Sequence, residues 1–278
     1  MIRLAFRLDD PSETSHQGVE AGILEALQRH SVPATFAVIP FRIVDGERRA
    51  LSAVRAQPLL EAHRAGLVEI AQHGHVHIRR HPEPAAPTEF CGRTRAEQQA
   101  LIGEGKKHLE SIFGGRICGF VPPWNSYDAA TAGSLLDLGF DYLSAGWQLP
   151  AADHGALRLL PRTAQVKEFD TAFSEALRFE VASPILVFVL HHYDFAESGS
   201  AGAPLDLPRF EQMLARALAH PRTRVSTLSQ LAQALPANER RVALQQRLAG
   251  KRILGRLLPR SSLLDGPLWR GILAGLGA

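Results

Sequence analysis

Cysteine is scarce in this chain of 278 residues, and the two cysteines, Cys91 and Cys118, stand far apart without C-x-x-C spacing. A small secreted scaffold held by disulfides needs a set of closely spaced cysteines, and a structural zinc knuckle needs cysteine pairs. The sequence therefore argues against both classes. A reducing cytoplasm is the compartment that this cysteine usage predicts.

Long hydrophobic runs are also lacking, since no apolar stretch approaches the roughly 18 residues of a membrane span. Charged residues appear within the first ten positions, too early for the apolar core of a signal peptide. These two absences again predict a cytoplasmic protein. The first predicted strand is not followed by G-x-G-x-x-G, so a dinucleotide-binding fold has no support.

The net charge of +3 is distributed unevenly along the chain. Residues 240–278 hold eight Lys or Arg and one acid, a net charge of +7, which leaves 3 − 7 = −4 for residues 1–239. No aromatic or Gly-rich pattern accompanies the basic residues, so no nucleic-acid partner is expected. We therefore divide the chain into a catalytic domain at 1–238 and a basic amphipathic extension at 239–278.

The basic extension alternates leucines with Lys and Arg, and Trp269 comes late in it. This pattern is typical of a helical segment that lies on an anionic membrane surface, here the inner face of the membrane. A lipid-linked sugar would then be a natural substrate. The alternatives are a helix packed against the catalytic domain and a contact in a dimer, and the sequence does not fix the oligomeric state.

Strand-like and helix-like segments alternate through residues 1–238. The patterns predict strands at 2–8, 34–39, 68–72, 117–121, 142–145, 157–166, 184–190 and 225–227. They predict helices at 19–30, 48–64, 95–113, 129–138, 207–219 and 228–235. Roughly seven or eight β-then-α units predict an α/β fold with parallel strands, and a deformed barrel is favoured over an open doubly wound sheet.

Three polar clusters follow predicted strands, and each contains groups that bind metal ions. They are Asp9-Asp10, the run His73-Gly74-His75-Val76-His77, and His191-His192-Tyr193-Asp194. In a (β/α) barrel the chemistry lies at the carboxyl ends of the strands, where these clusters are expected to meet. Carboxylate and imidazole groups gathered at one edge predict a metal-dependent enzyme.

The histidine run offers more than one ligand pair. One helical turn would bring His73 and His77 to the same side, which is the i,i+4 geometry of many zinc sites. On extended backbone, His73 with His75 or His75 with His77 would also present two ligands. The residues alone leave these possibilities open.

Short motifs, taken in order, make the chain resemble the polysaccharide deacetylase (NodB-homology) superfamily of carbohydrate esterases. Phe6-Arg7-Leu8-Asp9-Asp10 resembles T-F-D-D, which implies Asp9 as general base and Asp10 as metal ligand. Residues 69–77 resemble E-I-x-x-H-[ST]-x-x-H, which implies His73 and His77 as the other two ligands. The implied fold is a NodB-like (β/α)7-8 barrel, and the implied cofactor is a divalent metal, first of all zinc, with cobalt, nickel or iron as alternatives.

The remaining motifs supply the walls of the implied active site. Residues 120–125 resemble F-R-P-P-Y-G, which implies that Pro123, Trp124 and Asn125 contact the substrate. The resemblance also implies that the backbone N–H of Trp124 stabilises the oxyanion. Residues 187–191 resemble the last motif, which implies His191 as the general acid. His192 and Asp194 would orient it or contact substrate.

Two departures from the family pattern concern the arginine that orients the base. Its position in the third motif is Val121 here, and the acid that the fourth motif supplies to that arginine cannot be located around residues 142–147. The arginine and its acid are expected to be lost together, because either one alone would be an unpaired buried charge, which is costly. Arg7, two positions before Asp9 on the same strand face, is a possible replacement, although an ordinary surface arginine is the simpler interpretation.

The leading interpretation is therefore a metal-dependent deacetylase that acts on an N-acetylated sugar or glycolipid. The first alternative is another barrel amidohydrolase that uses His-x-His ligands. The second is a non-catalytic carbohydrate-binding relative.

Overall fold

The computed structural model describes residues 1–81, 86–146, 156–178 and 184–234. Its strands are β1 (Ile2–Asp9), β2 (Ala34–Val38), β3 (Phe41–Val44), β4 (Glu47–Ala50), β5 (Val68–His73), β6 (Gly119–Val121), β7 (Tyr142–Leu143), β8 (Arg158–Leu159), β9 (Ala164–Gln165), β10 (Ile185–Leu190) and β11 (Thr223–Val225). Its helices are α1 (Gln17–His30), α2 (Ala53–Arg64), α3 (Arg95–Phe113), α4 (Ala129–Asp137), α5 (Phe169–Leu177), α6 (Leu207–Ala219) and α7 (Leu228–Ala234). The predicted basic extension lies outside the described residues.

Parallel strands form one curled sheet in the order β8-β7-β6-β5-β2-β1-β10-β9. β11 pairs with the start of β1, where Ile2 lies opposite Thr223, and β2 pairs with its end, where Asp9 lies opposite Ala37. The two ends of this order, β8 and β9, are consecutive strands of the chain. The predicted deformed parallel barrel is confirmed.

The two central strands are buried on both faces, as their apolar sequences predict. Every residue of β10 is buried, and β1 pairs with it along its length. On the helix-facing side, Phe6 packs against Phe188 of β10, Phe169 of α5 and Phe210 of α6. The opposite face of β1 carries Arg7 into the interior of the curled sheet, where it is fully buried.

The helix predicted from residue 48 begins only at Ala53, because residues 41–50 form an antiparallel hairpin. Asp45 and Gly46, at φ of 54° and 81°, form its two-residue turn. Asp-Gly is a strong signal for such a hairpin, and the helical prediction for residues 48–50 overlooked it. The hairpin leaves the carboxyl end of β2 and is bonded to the histidine run, since Phe41 N donates to His75 O over 3.2 Å.

Two further strand predictions were wrong in extent. The single strand predicted at 157–166 is two short ones, β8 and β9, which pair with β7 and β10 at opposite ends of the sheet. Pro161 lies between them, where the pairing changes sides: Leu160 N donates to Leu143 O of β7, and Thr163 N donates to Val187 O of β10. The last strand lies two residues earlier than predicted, at Thr223–Val225 rather than 225–227.

Helix α3 begins and ends as its sequence predicts. Thr94 and Glu97 form a reciprocal capping box at its start. Gly114 ends it in the left-handed conformation that glycine adopts without strain. The helix packs against β5.

Candidate active site

The carboxyl ends of β1, β5 and β10 bring the three polar clusters to one edge of the sheet. Asp9 is the last residue of β1, His73 is the last residue of β5, and His191 directly follows β10. In the sheet order, β2 separates β5 from β1, and β10 lies on the other side of β1. Residues about 180 positions apart in the chain therefore share one pocket.

Asp10, His73 and His77, which we call the ligand cluster, have one ligand atom each within 4.8 Å of the others. Asp10 Oδ1 lies 3.2 Å from His73 Nε2 and 3.4 Å from His77 Nε2. Both Asp10 and His77 adopt left-handed backbone conformations, at φ of 76° and 57°. Such strain in non-glycine residues is typical of functional sites.

The donor set of the ligand cluster fits a divalent metal such as zinc. Asp10 Oδ1 is buried and accepts no hydrogen bond from the described residues, although it faces two imidazole nitrogens. The Nδ1 atom of His73 donates to Val121 O over 2.8 Å, which directs Nε2 toward Asp10. A ligand histidine held through its other nitrogen by a carbonyl is the common arrangement in zinc sites.

The charges of the ligand cluster act on one another. Burial raises the pKa of Asp10, but the close contact with the His73 imidazole and the charges of His73 and His77 outweigh it and hold that pKa below its usual value. Burial and the neighbouring His73 charge lower the pKa of His77 to about 4. His77 is therefore a neutral imidazole near neutral pH, which is the form that binds metals.

His75 does not belong to the ligand cluster. Its Nε2 lies 2.9 Å from Glu104 Oε2 of α3, and its ring packs against Phe41 at a centroid distance of 5.0 Å. The helical turn suggested for His73 and His77 is also absent, because residues 74–77 form a non-helical turn. Gly74, at φ of 62°, begins that turn.

Arg7 and Asp9, which we call the arginine–acid pair, form a bidentate ion pair inside the sheet. Arg7 Nε donates to Asp9 Oδ1 over 2.8 Å, and Nη2 donates to Asp9 Oδ2 over 2.7 Å. The arginine is fully buried, so its interpretation as a surface residue was wrong. Its guanidinium lies against the base candidate, as required of a residue that replaces the arginine missing at Val121.

The remaining donors of Arg7 bind groups from two distant loops. Nη1 donates to Ser144 Oγ over 2.8 Å and to Ser144 O over 3.0 Å, and Nη2 donates to Asn125 Oδ1 over 3.2 Å. Ser144 lies in the stretch where the fourth motif could not be located. Neutral oxygens, rather than an acid, accept these hydrogen bonds, and no sequence signal singled out Ser144.

His191 lies beside the arginine–acid pair. Its Nε2 is 4.0 Å from Asp9 Oδ2, and its Nδ1 is 3.4 Å from Asp194 Oδ2. Asp194 also accepts the His191 N–H over 2.8 Å, which fixes the turn that carries the imidazole. His192 points elsewhere, with Nε2 2.9 Å from the buried Glu20. Tyr193 stacks on the His191 ring at 4.6 Å and is largely exposed.

The 3-10 turn Pro123–Asn125 forms the wall next to His77. The Trp124 ring lies 4.5 Å from the His77 ring, and 36% of the tryptophan is exposed. Trp124 and Asn125 have φ of 55° and 57°, a second strained pair at the pocket. Pro123 is buried beneath them. Trp147 lies outside the described residues.

Comparison with known proteins gives the same family as the motifs. The family profile described as polysaccharide deacetylase matches residues 4–143, half of the chain. No curated protein matches the chain.

Solved structures with the same fold cover most of the chain. A protein from Mycobacterium smegmatis described as a polysaccharide deacetylase has a TM-score of 0.58 at 20% identity, over 84% of this chain and 89% of its own. A family 4 acetyl xylan esterase from Clostridium thermocellum, in complex with a cobalt ion, has a TM-score of 0.52 at 14% identity, over 85% and 94%. At these identities the likeness establishes the fold.

Proposed function

Because the chain belongs to the polysaccharide deacetylase family, we propose that it is a metal-dependent hydrolase that removes an N-acetyl or related acyl group from a sugar or glycoconjugate. One observation carries this proposal: Asp9 lies between the buried Arg7 on one side and His191 on the other, directly beside the ligand cluster. A base, an acid and a set of metal ligands thus meet at one strand edge.

Asp10, His73 and His77 would hold the metal ion, with zinc the first choice. When bound, such an ion lowers the pKa of a coordinated water and polarises the acyl carbonyl. That the Clostridium thermocellum esterase was solved with cobalt supports a site open to several divalent metals. Two imidazoles and one carboxylate leave coordination positions for water and substrate.

Asp9 would accept the proton of the attacking water as general base. The two hydrogen bonds from Arg7 fix the orientation of the Asp9 carboxylate, and each oxygen keeps a lone pair for the proton. Arg7 would act through Asp9 and is therefore a positioning residue. Ser144 and Asn125 would hold Arg7 in place, which makes the arginine at the third-motif position dispensable.

His191 would donate a proton to the leaving nitrogen as general acid. Asp194 lies at its Nδ1, so the proton to be transferred would stand on Nε2, the atom that faces Asp9. The backbone N–H of Trp124 would stabilise the oxyanion. The exposed rings of Trp124 and Tyr193 would contact the sugar. His192 is bonded to Glu20 and would support the turn rather than touch substrate.

The other interpretations have weaker support. A His-x-His amidohydrolase would need His75 as a ligand, and His75 faces Glu104 instead. A non-catalytic relative was suggested by the missing arginine, and Arg7 supplies that charge from another strand.

The location and the partners of the chain remain part of the proposal. We place the protein in the cytoplasm, where residues 240–278 would contact an anionic membrane and bring the domain to a glycolipid. No helix within the described residues is long and apolar enough to cross a membrane. Removal of residues 240–278 should abolish binding to anionic liposomes and spare hydrolysis of a soluble substrate.

The test of the function is zinc content and acetate release from N-acetylated oligosaccharides by the purified protein and three variants. D9A should keep the metal and lose activity, H73A should lose both, and H75A should keep the metal. Loss of metal in H75A would support the His-x-His alternative. Absence of acetate release by the metal-loaded wild type, across a panel of acetylated sugars, would contradict the deacetylase.

A further inference from the structure

The carboxylate of Glu89 lies against the turn that connects the two histidines of the ligand cluster. We call residues 74–77 the ligand turn. Glu89 Oε2 accepts the N–H of His75 over 3.0 Å, and Oε1 accepts those of Val76 and His77 over 2.7 and 3.1 Å. Glu89 is only 3% exposed, and none of the roles proposed above uses it.

Three consecutive backbone N–H groups that converge on one anion form a concave anion site, here filled by the chain's own carboxylate. The ligand turn needs such support because Gly74 and His77 both adopt positive φ, at 62° and 57°. A histidine in that conformation is strained relative to extended or helical backbone. The three hydrogen bonds from the turn to the two Glu89 oxygens offset this strain.

Gly74 makes room for this carboxylate. A Cβ atom at position 74 would lie 2.3 Å from Glu89 Oε2 and 2.4 Å from Pro123 Cγ, closer than real Cβ contacts allow. The family motif has Ser or Thr at this position, and this chain has glycine. The absence of a side chain at 74 and the presence of a carboxylate at 89 are therefore complementary features of one arrangement.

Glu89 is itself fixed by its neighbours in the chain. Its carbonyl accepts a hydrogen bond from Arg93 Nε over 3.0 Å. The next residue, Phe90, is fully buried and packs edge-to-face on Phe120 of β6 at 5.7 Å. Glu89 therefore lies in a segment that the buried Phe90 and the hydrogen bond from Arg93 anchor to the domain.

We propose that Glu89 is a positioning residue that shapes the ligand turn and so places His77 Nε2 opposite Asp10. His73 needs no such help, because it ends β5 and is oriented by Val121 O. His77 lies beyond the strand, and the hydrogen bond from its own N–H to Glu89 ties it to the domain. The proposal rests on the proposed function only for the identity of the bound ion.

The test compares E89Q with E97Q in the full chain. Glu97 also accepts a backbone N–H, that of Thr94 over 2.7 Å, but it caps α3 at the surface away from the ligand turn. Zinc affinity is measured by competition with a chelating dye, alongside thermal unfolding of the metal-free proteins. E89Q should bind zinc about 10–100-fold more weakly, as expected for loss of a group that orients a ligand. E97Q should lose thermal stability and keep its zinc affinity.

Equal zinc affinity in E89Q and the wild type would overturn the proposal, as would an equal loss in E97Q. A second measurement covers the case that E89Q does not fold: hydrogen exchange of the His75, Val76 and His77 amides in the metal-free wild type. These amides should be protected by Glu89, and exchange as fast as that of an unstructured loop would also overturn the proposal. A wild type that binds no zinc would contradict the proposed function, while the exchange data would still decide the role of Glu89.

Discussion

Asp9 and Asp10 are neighbours in the chain, yet their side chains have different partners. Asp9 ends β1, is 2% exposed and has both oxygens bonded to Arg7. Asp10 turns out of the strand at positive φ, and its buried Oδ1 has no hydrogen-bond donor within the described part of the chain. The arginine–acid pair is complete without a ligand, whereas the ligand cluster gathers donor atoms that a cation would satisfy. The end of a strand is what lets two adjacent carboxylates take different tasks.

The largest expected effect comes from breaking the ligand cluster at His73. H73A should abolish stable zinc binding and reduce acetate release by at least about 10³-fold, because the metal contributes several kcal/mol of charge stabilisation. Metal content by elemental analysis and acetate release check this, with H75A as the matched control. If H73A bound zinc with wild-type affinity, the ligand cluster would not be the metal site.

The second effect comes from breaking the arginine–acid pair. R7M leaves Asp9 buried without its cation, which should lower the free energy of unfolding by about 3–5 kcal/mol and activity by about 10²-fold or more. R7K restores the charge without the planar fork and should recover only part of the activity. Denaturant unfolding, acetate release and zinc affinity are the measurements. Unchanged activity and metal affinity in R7M would contradict the positioning role of Arg7.

The third prediction compares alanine substitutions at two glycines with positive φ, Gly74 in the ligand turn and Gly46 in a surface hairpin. G46A meets no atom within 4 Å, so it should cost only the strain of its left-handed backbone, about 1–2 kcal/mol of unfolding free energy. G74A adds overlap with Glu89 and Pro123, which should cost a further 1–3 kcal/mol or so and weaken zinc binding. Urea unfolding and zinc titration distinguish the two. Equal effects of G74A and G46A on both quantities would show that the ligand turn has room for a side chain.

The smallest effect tests the support of Arg7. Ser144 Oγ accepts from Arg7 Nη1 and donates to Leu160 O over 2.7 Å, so S144A should lower the free energy of unfolding by about 1–3 kcal/mol. Activity should fall less than about 10-fold, because Arg7 keeps Asp9, Asn125 and the Ser144 carbonyl. S134A is the control, since Ser134 is equally buried and bonds only to helical carbonyls. A larger loss of activity in S134A than in S144A would contradict this role.

Parts of the fold that depend on local pattern were predictable. The apolar run of β10 and the boundaries of α3 and α6 follow from residues that are adjacent in sequence. The β3–β4 hairpin was missed although its Asp-Gly turn was visible, because β4 is exposed along its whole length and three consecutive charged residues, Glu47 to Arg49, give it no apolar period. The two strands around Pro161 were merged, since their separate partners lie at opposite ends of the sheet.

The candidate site likewise has residues that the sequence predicted and residues that only the structure showed. Sequence patterns singled out Asp9, Asp10, His73, His77 and His191, because each lies at or shortly after the end of a recognisable strand and such strand ends converge in a parallel sheet. The residue pattern alone left His75 and His77 open and the family motif favoured His77, whereas the shape of the ligand turn and its contacts with Glu89 are visible only in the structure. Ser144 and Glu89 carried no signal, since a lone serine or glutamate in a loop is ordinary until its partner in space is known.

The amino-acid sequence by itself determined which strands are buried, that they run parallel, and which donor atoms collect at their carboxyl ends, because these properties come from the alternation and the ends of short segments. Only the tertiary structure decided that Arg7 faces the interior and binds Asp9, that Ser144 and Asn125 hold it, and that Glu89 supports the ligand turn. The physical reason is that a hydrogen bond or an ion pair is decided by distance in space, and the curl of the sheet sets those distances between residues far apart in the chain.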